Sequence, residues 1–211
     1  MNHDFQTGDI LLFTHQPDYS TVLNSIISLM SKTIQWITNS KYSHAAIIVK
    51  DPSFTDPPLK GMYILESNCE DFKESENAQY KVGVELSSLD TILKEYKGQI
   101  YWRKLECTRD DEFREKIKEV HSTVHNRLYD FILTDWLKAA IHLYKGKTQR
   151  IKTFWCSALV SYVYVQLGFL DKKTPWSLIS PEQLGTEHSN ELEFKNCTLK
   201  KEELIYDSNK N

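Results

Sequence analysis

Cys156 stands where a polar loop gives way to an apolar helical run, in the stretch KTFWCSALVS. A thiol at a helix N-terminus lies beside unpaired backbone N–H groups and the positive end of the helix dipole, and both favour the thiolate. A thiolate nucleophile needs an imidazole within hydrogen-bond reach, and the imidazole needs a third group to hold its ring. The sequence offers both types: His44 opens the run HAAIIVK, and Glu66 lies at the end of MYILES. If these two runs are strands that pair, the Glu66 carboxylate comes near the His44 ring. Each residue also has a plainer reading. A free cysteine in an apolar helix is more often a small buried hydrophobe, and a strand-end histidine or glutamate more often faces water. Position alone leaves both readings open.

The elements that would have to position these residues follow from the pattern of apolar positions and breakers. GDILLFTH is a short β-rich run entered through Gly8, and residues 21–38 repeat apolar side chains at helical spacing. HAAIIVK and MYILES predict two buried strands, a candidate hairpin across the Pro- and Gly-containing loop DPSFTDPPLKG. VGVEL and QIYWRKLE predict further strands, with a helix opened by Ser87 between them. Thr108 and Asp111 mark the start of a helix over DDEFREKIKEVHSTVHNRL, and YDFILTDWLKAAIHLY predicts another. CSALVSYVYVQLGF predicts a helix that Gly168 can terminate, Ser180-Pro181-Glu182 a further helix opening, and YDSNKN a frayed end. Helices at both ends of a block of sequence-adjacent strands imply an α+β domain with an antiparallel sheet.

Other patterns carry less. GKT at 146–148 lacks the glycine five positions earlier that a phosphate-binding loop needs, since Ile141 stands there. His121 and His125 share a helix face, but no glutamate of a zinc-protease helix lies between them. The helix at 21–38 has Lys32 as its only basic residue, so core packing is a better account of its apolar stripe than a membrane surface. The basic loop 145–152 is a weak hint of anion steering, and usually such a run is hydrated surface.

Length and composition bound the rest. The 211 residues suffice for one domain with a core about 7–185, and 40% apolar residues with both charge signs describe a soluble globule. A net charge of −3 argues against a nucleic-acid binder. The first residues lack the pattern of a secretory signal, so a cytoplasmic location is expected. The four cysteines, Cys69, Cys107, Cys156 and Cys197, form no CxxC pair, which disfavours a structural zinc site and a disulfide scaffold. No metal or cofactor is expected, and Cys69, Cys107 and Cys197 are assigned to packing.

Taken in order, TGDILLF, SKYSHAAIIV, YILES, YD and FWCSALVSYVYVQLG resemble the permuted branch of the NlpC/P60 superfamily, which includes the YiiX-like and poxvirus G6-like proteins. The resemblance covers most of the chain from Thr7 to about Pro181. It implies a circularly permuted papain-like fold, a central antiparallel sheet or half-barrel packed against helices, with the histidine strand ahead of the cysteine helix. It implies Cys156 as nucleophile, His44 as base and Glu66 as the residue orienting that base. Tyr129 matches a tyrosine of the oxyanion region, and Trp155 and Ser157, on either side of the cysteine, join it as candidate oxyanion or substrate-binding residues. Asp9 and Asp130 match the aspartates of the GD and YD pairs and take supporting roles. Asn126 stands where the family often has glycine. The implied activity is that of a cysteine hydrolase or acyltransferase on an amide or ester of a small-molecule, lipid or peptide substrate, through a thioacyl-enzyme. Aromatic residues such as Phe154, Tyr162, Tyr164 and Trp176 are candidate walls of an acyl channel. The alternative is a non-catalytic module that keeps the fold and binds a ligand or partner in the cleft. A membrane surface is possible but not indicated, and the oligomeric state is not legible.

Overall fold

A computed structural model of the chain describes residues 3–16, 41–68, 83–125, 128–129, 153–154 and 156–210. Its centre is a six-stranded antiparallel sheet. In chain order the strands are β1 (Ile10–His15), β2 (His44–Lys50), β3 (Met62–Asn68), β4 (Gly83–Ser88), β5 (Gly98–Arg103) and, far along the chain, β10 (Glu203–Asp207), arranged β10-β5-β1-β2-β3-β4. Short two-residue strands complete the set: β6 (Leu105–Glu106) pairs with β9 (Thr198–Leu199), and β7 (Leu128–Tyr129) pairs in parallel with β8 (Thr153–Phe154). The described α-helices are α1 (Leu89–Glu95), α2 (Asp111–Val124) and α3 (Cys156–Gln166). The α+β class with an antiparallel sheet, expected from the order of elements, is what the chain adopts. The helix expected at 21–38 and the basic loop lie outside the described residues, as does the helix expected at 129–144 apart from Tyr129, which is in β7 rather than a helix.

The apolar runs of β1 and β2 have little alternation because both faces of the sheet are covered. Ile10, Leu12, Ala45, Ile47 and Val49 face a core that includes α2 and α3, while Leu11, Phe13, Ala46 and Ile48 face a second core with Leu89 and Ile92 of α1. Helix α2 presents Phe113, Ile117, Val120 and Val124 at helical spacing. Helix α3 is buried on nearly every side, so its sequence reads as apolar throughout rather than amphipathic.

Gly8 fixes how the chain enters β1. Its φ of 98° lies in the region that favours glycine, and a Cβ there would stand 2.8 Å from Leu105 Cδ2. Its carbonyl accepts from Tyr164 Oη at 2.8 Å, which ties α3 to the start of β1.

Four local expectations differ from the structure. The cap of α2 is Asp110, whose side chain accepts from Phe113 N, rather than Thr108. Ser87 lies in β4 opposite Ile64, and α1 starts two residues later. Ser180-Pro181-Glu182 opens only a 3-10 turn, Glu182–Leu184. The C-terminal residues, expected to fray, form β10 against β5, and Ser208 N continues by donating to Gly98 O at 3.0 Å. Arg103 fastens the segment leading to β10. It is 2% exposed and donates to the carbonyls of Leu184, Leu199 and Lys200.

Candidate active site

The expected hairpin exists, and its register decides which side chains meet. β2 and β3 pair from Lys50↔Met62 to Ile47↔Leu65. Carrying that register one residue further sets Glu66 across from Ala46, two residues from His44, so Glu66 and His44 leave the same face on a diagonal within reach of long side chains. The contact is made: His44 Nε2 lies 2.8 Å from Glu66 Oε2. On the other side Phe13, directly opposite His44 in β1, packs its ring 5.1 Å from the imidazole. Glu66 is 2% exposed, and its Oε1 is buried with no hydrogen-bond partner among the described residues.

The strands then part. Beyond Leu65, β3 stays paired with β4 as far as Asn68↔Gly83, while β2 stays paired with β1 back to Phe13↔His44. A fork opens between residues 44–46 and 66–68. Ile48 N donates to Asp9 O on the β1 side at 2.8 Å, so by alternation the N–H of Ala45 points into the fork. No described strand meets it there. The N-terminus of α3 does: the Cys156 sulfur interacts with the His44 side chain and with the backbone N–H groups of Ala45 and Ser157. With Nε2 committed to Glu66, Nδ1 is the ring atom left to face the sulfur.

These contacts set the charges. Burial alone would raise the Cys156 thiol, but the His44 hydrogen bond and charge, with the two backbone N–H groups, bring it below the ordinary thiol value. Burial alone would lower His44. Its bonds to Cys156 and Glu66, and their charges, instead push it up to about 10. Both directions describe one event, a proton held on the ring and a negative charge held on the sulfur. The His44 side chain keeps 20% of its surface exposed, so the pair is approachable from solvent.

The other expected site residues fare differently. The backbone of Tyr129 pairs in register with Phe154, which sets it beside the segment just ahead of Cys156. Its side chain, with Trp155, Asp130 and Asn126, lies outside the described residues. Ser157 contributes its N–H to the sulfur, while its hydroxyl turns inward to donate to Ile179 O at 2.7 Å. Asp9 is fully buried as a junction away from this line of contacts: it accepts from Gln6 N, Leu105 N, Trp102 Nε1 and Arg109 Nη2. The aromatic wall divides. Tyr164 is core, whereas Tyr162 and Trp176 line a groove of about 880 Å³ with Val120 and Val165. Tyr162 lies about 9 Å along the helix from Cys156, so that groove opens toward the far half of α3. Sequence reasoning missed Phe13 and the Ala45 N–H. The first follows only from register, the second only from where two strands separate.

No family model matches the chain, and no curated protein matches it. Among solved structures the chain is similar to the metalloprotein yiiX from Escherichia coli O157:H7, DUF1105, with 19% identity over 96% of this chain and 97% of that chain, at a TM-score of 0.48. Likeness at that level decides neither the family nor the chemistry of this chain. Among the described residues no cluster of three or more His, Cys, Asp or Glu side chains has a metal-holding arrangement, and no helix is long and apolar enough to cross a membrane.

Proposed function

We propose that the chain is a cysteine hydrolase or acyltransferase that acts through Cys156 and His44, with Glu66 as the residue positioning the imidazole, on a permuted papain-like fold of the NlpC/P60 type. One observation carries this reading: the His44 ring held at 2.8 Å by the buried Glu66 carboxylate, with the Cys156 sulfur at the head of α3 interacting with the same side chain. A buried packing cysteine would have a raised thiol and no such partners.

In the proposed reaction the Cys156 thiolate attacks the carbonyl carbon of an amide or ester, and the carbonyl electron pair moves onto oxygen. In this reading the Cys156 backbone N–H, with Tyr129, holds that oxyanion. As the tetrahedral species collapses, the imidazolium of His44 gives its proton to the departing nitrogen or oxygen, leaving a thioacyl-enzyme and a neutral ring. His44 then takes a proton from water or an acceptor hydroxyl or amine, which attacks the thioester and returns the sulfur as thiolate. Glu66 keeps Nε2–H engaged throughout, so Nδ1 stays aimed at the sulfur.

The test is trapping of Cys156 by a carbon electrophile such as iodoacetamide near neutral pH, read by intact mass. The expected result is one rapid adduct on wild type, none at that rate on Cys156→Ala, and slower labelling of His44→Ala. A thiol of ordinary reactivity in protein that is otherwise folded would reject the catalytic reading and leave a binding module. Single-turnover assays with acyl-amino-acid, phospholipid and peptide panels then separate amide from ester substrates.

A further inference from the structure

Outside the site, two more cysteines meet across a pair of strands. β6 and β9 are antiparallel with Leu105 opposite Leu199 and Glu106 opposite Thr198. One step further along the same register sets Cys107 opposite Cys197. The step is of the favourable kind. Lys200 N donates to Lys104 O at 2.9 Å, so positions 104 and 200 form a hydrogen-bonded pair. Alternation then makes 107 and 197 a non-hydrogen-bonded pair, in which the two Cα atoms approach to about 4.5 Å and the side chains are closest. That spacing falls within the range a disulfide spans, about 4.4–6.8 Å.

Packing supports the same arrangement. Cys107 and Cys197 rest on the core that also takes Leu105 and Leu199, as four residues on one face of a two-strand ladder should, while Glu106 and Thr198 point outward and are exposed. Each thiol is free and only partly buried, so a small reagent can reach it. The two sulfurs also feel each other: burial raises the Cys197 thiol to about 11, and the nearby Cys107 adds to that rise. Burial raises Cys107 as well, but the Arg109 guanidinium opposes it.

We propose that Cys107 and Cys197 are a redox-responsive pair that closes into a cross-strand disulfide by exchange with a small-molecule disulfide such as oxidised glutathione. The Cys107 thiolate attacks one glutathione sulfur, forming a mixed disulfide and releasing one glutathione thiol. Cys197, after giving up its proton, attacks the Cys107 sulfur and releases the second. Two protein thiols are oxidised by two electrons, and one disulfide is reduced to two thiols, which take up both protons.

The bond would act on a segment that matters to the site. After β9 the chain reaches Glu202, whose carboxylate accepts from Tyr42 Oη at 2.9 Å and from Lys41 Nζ at 3.4 Å, directly ahead of His44. Anchoring 197 to 107 therefore pins the stretch that braces the approach to β2.

The experiment uses full-length Cys156→Ala protein, so that the reactive thiol stays out of the exchange. After incubation with oxidised glutathione at about pH 8.5, intact mass should fall by about 2 Da and peptide mapping should recover a Cys107–Cys197 link. Dithiothreitol should reverse both. Melting should rise by about 5 °C or more in the oxidised form. Cys107→Ser and Cys197→Ser, each in that background, should instead hold a glutathione adduct on the thiol that remains. Stable adducts on both cysteines without a link, a link to Cys69, or a link that forms only after unfolding in urea would each overturn the proposal.

Discussion

Two buried carboxylates in this molecule are treated in opposite ways. Asp9 has no exposed surface and is saturated: backbone N–H groups of Gln6 and Leu105, the Trp102 indole and the Arg109 guanidinium all donate to it. Glu66 is as deeply placed, yet only Oε2 is engaged, by His44, while Oε1 has no partner among the described residues. A carboxylate that joins loops and strands gains by using every lone pair, because each donor left without it would be a buried loss. One that must hold a ring through a change of protonation needs a single firm bond. The two sites teach that equal burial leaves a carboxylate free to be used in different ways, saturated at Asp9 and held by one bond at Glu66.

The sharpest way to break this contrast is to remove each carboxylate and ask which property fails. Asp9→Ala leaves the Trp102 indole and the amides of Gln6 and Leu105 without their acceptor and takes the carboxylate from the partly exposed Arg109 guanidinium. It should cost about 3–5 kcal/mol in urea unfolding, with Cys156 alkylation unchanged in whatever fraction stays folded. Glu66→Gln keeps the shape and removes the charge. Its alkylation rate near pH 6 should fall about tenfold or more, while unfolding free energy changes by about 1 kcal/mol. A collapse in stability for Glu66→Gln, with reactivity intact, would make the two carboxylates alike.

The pH dependence sharpens the same point. His44 is raised from 6.5 to about 10, so its contribution to stability is fully present below 6.5 and is lost as pH climbs through about 10. Cys156 is lowered, so alkylation should hold its rate at pH values where an ordinary thiol, near 9.0, loses a factor of ten per unit. A rate that tracks a free thiol would refute the ion pair.

The smallest effect concerns another histidine. His121 stacks between Phe54 and His125 with its Nε2 buried and unpartnered, and burial with the neighbouring His125 pushes it down to about 4. Because its folded value is depressed, wild type should lose stability as pH falls from 6.5 through about 4. His121→Leu should escape that loss by on the order of 1 kcal/mol at pH 5, read by thermal melts across pH.

Much of this arrangement was legible in the residues. ILLF and AAIIV announce strands buried on both faces, the Pro- and Gly-rich loop between HAAIIVK and MYILES announces a hairpin, and a cysteine at the head of an apolar helical run announces a thiol at a helix N-terminus. Local chemistry states such things. What it does not state is pairing over long sequence distance. YDSNKN looks like a loose end because the strand that its first residues join, β5, lies about a hundred residues earlier. Arg103 reads as a surface charge in QIYWRKLE, and only the folded chain surrounds it with three carbonyls. The same limit hid the amide of Ala45, since no residue type signals where two strands will diverge.

That divergence makes the chemistry of Cys156 a matter of backbone as much as of side chains. One of the groups that favour its negative charge is a main-chain donor that of the twenty residues only proline would delete, and when the sulfur becomes a thioether that donor loses most of its acceptor. Capping the thiol should therefore quicken deuterium uptake at the Ala45 amide, so that β2 itself records whether Cys156 is modified.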